Sequence, residues 1–224
     1  MSDSSGVPRE ETQRRGKAQE SGEGFRADLP LAILESVRQH DRPAEVLEDE
    51  DLSASLPRRL GLTGVVESQI HRYQVARKRR ERVPGSEVSD LLRLVMRRPD
   101  CEPILRKAGH DLARYQGRTP LYPLATAARI LPDGVSSRFA KRSVLRLLKR
   151  IGGGTPVHVT RNPFRVEIDG TITARSDRYG IACVLYGAAI EESVQHAVGR
   201  RPHVEHIECE SHGAQHCVWA VTWT

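Results

Sequence analysis

Apolar side chains recur every three or four residues through the first two thirds of the chain and every second residue through much of the last third. That change of period predicts helices first and strands later. Leu29, Leu31, Ile33, Leu34 and Val37 cover one face of a short helix after Pro30. Val66, Ile70, Tyr73 and the stem of Arg77 mark a second helix, which Pro84-Gly85 ends. Ser86 suits the N-cap of the next, with Val88, Leu91, Leu92 and Val95 as its stripe until Pro99. A further stripe runs through Ile104, Leu105, Ala108, Leu112 and Tyr115. From Ser136 to Ile151 the pattern places Phe139, Val144, Leu147 and Leu148 inside and Lys141, Arg142, Arg146, Lys149 and Arg150 outside.

Gly152-Gly153-Gly154 breaks the helical pattern, and alternation begins. Val157 with Val159, then Phe164 with Val166 and Ile168, read as two strands followed by the turn signal Asp169-Gly170. A helix over 178–198 stops at Gly199, and two more alternating segments follow, Val204 to Cys209 and Cys217 to Trp223. Helices followed by strand, strand, helix, strand, strand describe an α+β fold, with N-terminal helices packed on a twisted antiparallel sheet.

Composition bounds where that domain lies. Among residues 1–27 only Val7 and Phe25 are large and apolar, too little to offset the entropy of ordering, so a disordered tail is expected there. Residues 1–60 are read as an extension or linker with a short docking helix, and residues 61–224 as the domain proper. The charge divides at the same place: 13 acidic against 9 basic residues up to position 60, which leaves 16 against 26 beyond it. A basic excess of that kind attracts nucleic acid, anionic membrane surfaces or acidic proteins without naming one. The longest apolar run, Ile181 to Ile190, falls well short of the roughly 18–20 residues that span a bilayer, so no membrane span is expected. The opening Met1-Ser2-Asp3-Ser4-Ser5-Gly6 lacks the basic and apolar regions of a secretory signal, and a cytoplasmic location is expected.

In a reducing compartment, four cysteines (Cys101, Cys183, Cys209, Cys217) argue for metal binding ahead of disulfides. His206 precedes Cys209 by three positions, and His212 and His216 lie between Cys209 and Cys217. Thiolate and imidazole are donors that zinc favours, and a structural site needs four of them. No CxxC knuckle is present, so cysteines buried as small apolar groups remain the competing reading. Gly152-Gly153-Gly154-Thr155 lacks the Lys of a phosphate loop, no GxGxxG follows a strand, and no nucleophile-elbow or HExxH pattern occurs. The sequence offers no catalytic centre.

Gly180-Ile181-Ala182-Cys183 opening a small-residue helix, followed by the segment from Glu205 to Trp219 with its paired cysteines, resembles the 4-vinyl reductase domain family over about residues 120–224. The resemblance implies a small-molecule-binding module whose fold is shared with a subunit of the vesicle-tethering trafficking complex, dimeric through its N-terminal helices. Members that sense aromatic effectors hold zinc with three cysteines and a carboxylate. That set maps onto Cys183, Cys209, Cys217 and position 206, where this chain carries His206 in place of the acid. The family's cavity between sheet and helices would take a hydrophobic or aromatic ligand, with Phe139, Phe164, Tyr186 and Trp219 as candidate lining. A homodimer is expected through helices within 61–118, because Leu91, Leu92, Val95, Leu105 and Leu112 form a stripe larger than one sheet covers.

These observations favour a cytoplasmic sensor or carrier domain with a structural zinc. An enzyme or accessory factor of tetrapyrrole (bacteriochlorophyll) biosynthesis is the alternative that the family name implies. A nucleic-acid-binding regulator acting through the basic helix, Arg72 and Arg77 to Arg82, is the third reading.

Overall fold

The computed structural model describes residues 24–41, 64–117 and 133–223. The expected tail up to residue 23 and the acidic run from Glu48 to Asp51 lie outside them.

The chain enters through a three-residue strand β1 (Gly24–Arg26) and helix α1 (Asp28–His40). Helix α2 (Gly64–Arg79) leads to strand β2 (Arg82–Pro84), helix α3 (Gly85–Val95) and helix α4 (Cys101–Gly117). Helix α5 (Asp133–Ile151) precedes strands β3 (Val157–Val159) and β4 (Arg165–Ile168) and a short helix α6 (Ile172–Ser176). A 3-10 turn (Ile181–Cys183) runs into helix α7 (Val184–Val198), and strands β5 (Pro202–Glu208) and β6 (Cys217–Trp223) form the last hairpin. The order β3-β4-β6-β5 is antiparallel throughout. The α+β architecture is as the change of period implies.

The periodic stripes become the contacts between layers. Val88, Leu92 and Val95 of α3, Ile104, Leu105, Ala108 and Leu112 of α4, and Val144, Leu147 and Leu148 of α5 are all buried. Helix α7 is apolar nearly all round because it is covered from several sides, by α4, α5 and β5.

Two expectations need correction. The domain does not begin at residue 61: Phe25, Leu29, Leu31 and Ile33 are at most 1% exposed, and α1 packs against α2 and α4. Ser36 Oγ of α1 also donates to the Ile104 carbonyl of α4 at 2.8 Å. The ring of Phe25 lies so close to Gly153, which has φ +68°, that a Cβ there would sit 2.5 Å from it. Gly153 therefore both ends α5 and makes room for the first strand. β1 pairs with β2 across 58 positions, Phe25 opposite Val83. Strands of three residues with one apolar member leave too little alternation to read.

The second correction concerns the stripe invoked for a dimer. Leu92, Val95, Leu105 and Leu112 are buried within this chain's own core and Leu91 is partly buried against it. The surplus apolar area on which that expectation rested is consumed inside the fold.

Candidate metal centre

Odd spacing poses a problem for the expected ligands, because residues three apart on a regular strand face opposite ways. The β5–β6 register resolves it. His206 pairs with Trp219 and Glu208 with Val218, so Ile207 is an extra residue, a β-bulge. Past the bulge the alternation of β5 is inverted, and His206 and Cys209 come to the face that β6 presents through Cys217 and Trp219. The His206 ring stacks on Trp219, centroids 4.6 Å apart and planes 12° from parallel, which fixes its orientation.

The third element arrives from the other side. Asp177 is buried and accepts from the backbone N–H groups of Tyr179 and Ala182, each at 2.9 Å, which shapes the turn that delivers Cys183 to the N-cap of α7. Ser211 Oγ donates to the Asp177 carbonyl at 2.7 Å and ties this turn to the hairpin. The four donor atoms of Cys183, His206, Cys209 and Cys217 all lie within 4.8 Å of one another, and could hold a metal ion. The Cys183 and Cys209 sulfurs are 4.0 Å apart. Two thiolates at the usual zinc–sulfur distance of about 2.3 Å, seen at the tetrahedral angle, stand roughly 3.8 Å apart.

The surroundings suit anionic sulfur. Thr171 Oγ1 lies 3.4 Å from the Cys217 sulfur and Thr173 Oγ1 3.3 Å from that of Cys183. All three cysteines are buried, and His206 Nε2 is buried with no hydrogen-bond partner among the described residues. The hydrogen bond between Cys183 and Cys217, then burial, pushes the Cys183 thiol far up. The same hydrogen bond, against burial and with help from His206 and then Thr171, holds Cys217 far down, at about 3. Three buried thiolates require a positive charge among them, and a divalent ion would supply it and displace the remaining protons.

Glu210 is the residue that sequence reasoning passed over. Its carboxylate accepts from the N–H groups of Gly170 and Thr171, at 2.5 and 2.9 Å, and from Thr171 Oγ1 at 3.2 Å, and it also meets the Cys217 sulfur at 3.7 Å. It locks the β4–α6 turn to the hairpin; the Asp169-Gly170 turn signal marked that turn but not the acceptor of its N–H groups. Burial raises its carboxyl above the ordinary range. The other two histidines near the thiols are engaged elsewhere: His212 Nε2 bonds the Tyr179 carbonyl at 3.0 Å, and His216 Nδ1 pairs with Asp169 at 2.5 Å. Cys101 lies on α4, outside the cluster.

No protein-family model matches the chain, and none of the curated proteins matches it. Among solved structures, an H-NOX protein from S. oneidensis, determined in its Fe(II)NO ligation state, matches with a TM-score of 0.40 and 13% identity. The match covers 63% of this chain and 77% of that one. A likeness of this degree assigns neither site nor function.

The expected ligand lining does not assemble as one wall. Phe139 is 49% exposed on α5, so it faces away from the layer between sheet and helices. Phe164 packs edge-on against Trp223, centroids 5.1 Å apart, and Tyr186 meets Trp219 at 6.1 Å. Phe164, Tyr186 and Trp219 are buried core residues. The basic helix changes character too: Arg72 pairs with Glu87, Arg79 lies 3.7 Å from Glu81, and Arg82 Nη1 donates to the Gly24 carbonyl. Arg77 stands 5.4 Å over the Tyr115 ring. Most of the cations expected to meet phosphates have a partner within this chain, although Arg72, Arg79 and Arg82 stay exposed. No helix among the described residues is long and apolar enough to cross a membrane.

Proposed function

We propose that this chain is a small-molecule sensor or carrier domain whose C-terminal half is locked by a structural zinc held by Cys183, His206, Cys209 and Cys217. The observation that carries the zinc is the convergence of four donors from three separate elements on one buried point. Three sulfurs and one imidazole nitrogen within 4.8 Å of one another favour zinc over harder or octahedral ions. Four protein donors leave no open position for a substrate, which favours a structural role over a catalytic one. The metal would bind the N-terminus of α7 to the β5–β6 hairpin, elements that otherwise meet through packing and the Ser211 and His212 hydrogen bonds.

The ligand-binding part of the proposal rests on the resemblance of residues 180–183 and 205–219 to the 4-vinyl reductase domain. The carried ligand would be hydrophobic or aromatic, and the chain would work in the cytoplasm, where the homodimer that the resemblance implies would form through a surface other than the buried stripe of Leu92, Val95, Leu105 and Leu112. Native mass spectrometry of the full chain, purified without added metal, reads zinc, bound organic ligand and assembly mass together. One zinc per chain with a co-purified or titratable aromatic ligand supports the proposal. Failure of the zinc-loaded chain to take up monocyclic aromatics, with uptake of a porphyrin instead, would replace the sensor reading with the tetrapyrrole one.

A further inference from the structure

Among the described residues, a row of exposed cations without an ion-pair partner lies along α5. Past Asp133 this helix carries no acidic residue, and Arg138, Arg142, Arg146 and Lys149 are all exposed. Spacings of four, four and three residues place these cations along one face for about 16 Å of helix axis. Among the described residues none of the four has an ion-pair partner, whereas Arg150 at the end of the helix is held by Asp28 at 3.0 Å. Two large apolar side chains stand exposed beside the stripe, Val135 at 36% and Phe139 at 49%. Phe139 is one residue from Arg138 and three from Arg142, an aromatic face within reach of guanidinium groups. At the start of the stripe a recess of about 590 Å³ is lined by Gly134, Val135, Ser137, Arg138, Arg161 and Asn162. Arg161 and Asn162 come from the β3–β4 turn, are exposed, and add a fifth cation and an amide able to donate and accept.

We propose that the exposed face of α5 and the adjoining β3–β4 turn bind single-stranded nucleic acid. The row of cations tracks the phosphates, Phe139 stacks on a base, and the recess receives a neighbouring base between Arg138, Arg161 and Asn162. A lipid surface would satisfy the cations and Phe139 but leaves the recess unfilled, whereas an unpaired base offers a flat apolar face for Val135 and a hydrogen-bonding edge for Arg138, Arg161 and Asn162. A duplex keeps its bases stacked and withholds them from both Phe139 and the recess, so single strands are favoured. This surface is separate from the metal cluster and does not depend on the proposed function.

The test uses the full chain in fluorescence anisotropy with labelled 15-nucleotide oligo(dT) and oligo(U), over a range of salt. Contact with about four phosphates predicts a log–log salt slope near −3, from roughly −0.7 per phosphate on a single strand. The double variant Arg142→Ala/Arg146→Ala should flatten the slope by about 1.4. Phe139→Ala should weaken binding by about 5- to 150-fold while leaving the slope unchanged, since stacking on a base is worth roughly 1–3 kcal/mol. Lys78→Ala/Arg80→Ala at the C-terminal end of α2 should bind like the wild type. All replaced side chains are exposed, and melting curves matching the wild type confirm intact folding. Absence of saturable binding would overturn the proposal, as would wild-type affinity in either α5 variant. Tighter binding to duplex, or to phosphatidylserine vesicles with none to the oligonucleotides, would overturn it too.

Discussion

Replacing Gly180 by Ala probes the proposed centre without removing a ligand. Gly180 has φ +73°, and a Cβ there would lie 2.9 Å from the Cys209 sulfur and 3.5 Å from the His212 ring. Two costs separate cleanly. The left-handed backbone alone costs a side-chain-bearing residue about 1–2 kcal/mol, which for a protein of this size lowers Tm by roughly 2–8 °C. The second cost is local: ordinary contact begins near 3.4 Å, so the sulfur must yield by about 0.5 Å. That exceeds the roughly 0.2 Å tolerance of a metal–ligand distance. Zinc affinity should therefore fall by at least the 10- to 100-fold typical of damage to groups that orient a ligand. Gly154→Ala is the control, because Gly154 has φ +101° but nothing lies within 4 Å of its Cβ position. It should lose stability and keep full zinc affinity in competition with a chromogenic chelator. Equal zinc affinity in the two variants would refute the reasoning that Gly180 makes room for Cys209.

Glu192 is 6% exposed and pairs with Arg114 at 2.9 Å, His110 at 3.0 Å and His196 at 3.2 Å, tying α7 to α4. Burial opposes its ionisation, but the Arg114 hydrogen bond and charge, with the two histidines, outweigh it and hold the carboxyl below its ordinary value of 4.5. Its stabilisation is thus fully present above pH 4.5 and lost as pH falls through the lower folded value, so Glu192→Gln should cost about 2 kcal/mol in urea unfolding at pH 7 and progressively less in acid; a pH-independent difference would contradict this. Phe25→Ala should cost about 3–5 kcal/mol by the same assay, as for a fully buried aromatic. Deletion of residues 1–27 should destabilise the protein comparably, whereas wild-type melting in either variant would return this segment to a dispensable extension.

Much of this architecture could be read from periodicity. The stripes of α3, α4 and α5 and the alternation of β4 and β6 each identify a buried face, since burial on one side imposes the period. What periodicity withholds is which element covers that face. Leu91, Leu92 and Val95 read equally as a dimer seam or as core, and the packing of α6 and α1 against α3 decides between them. Phe139 sits one turn from buried residues and reads as interior, but it falls on the outer rim of α5 among arginines. Composition misled at Phe25, where a single aromatic in a polar stretch packs against a glycine more than a hundred residues away. Cys209, Cys217 and the nearby His206 were legible in their spacing, whereas the choice of Cys183, and of His206 over His212 and His216, came from the family resemblance. The bulge at Ile207 that turns His206 toward the thiols was not legible, because it arises from pairing with β6 rather than from any residue of β5. Glu210 escaped for a similar reason, as its partners are backbone N–H groups of a turn 39 and 40 positions away.

The central claim is that one zinc sits among Cys183, His206, Cys209 and Cys217 and holds the C-terminal half together. Elemental analysis and melting of the wild type, Cys217→Ser and His206→Ala, each purified without added metal, test it most directly. One zinc per wild-type chain is expected, together with loss of zinc and of several kcal/mol of stability in Cys217→Ser, as when a structural site loses a ligand, and weakened zinc retention in His206→Ala. A wild-type protein free of zinc that melts at the same temperature as Cys217→Ser would contradict the account.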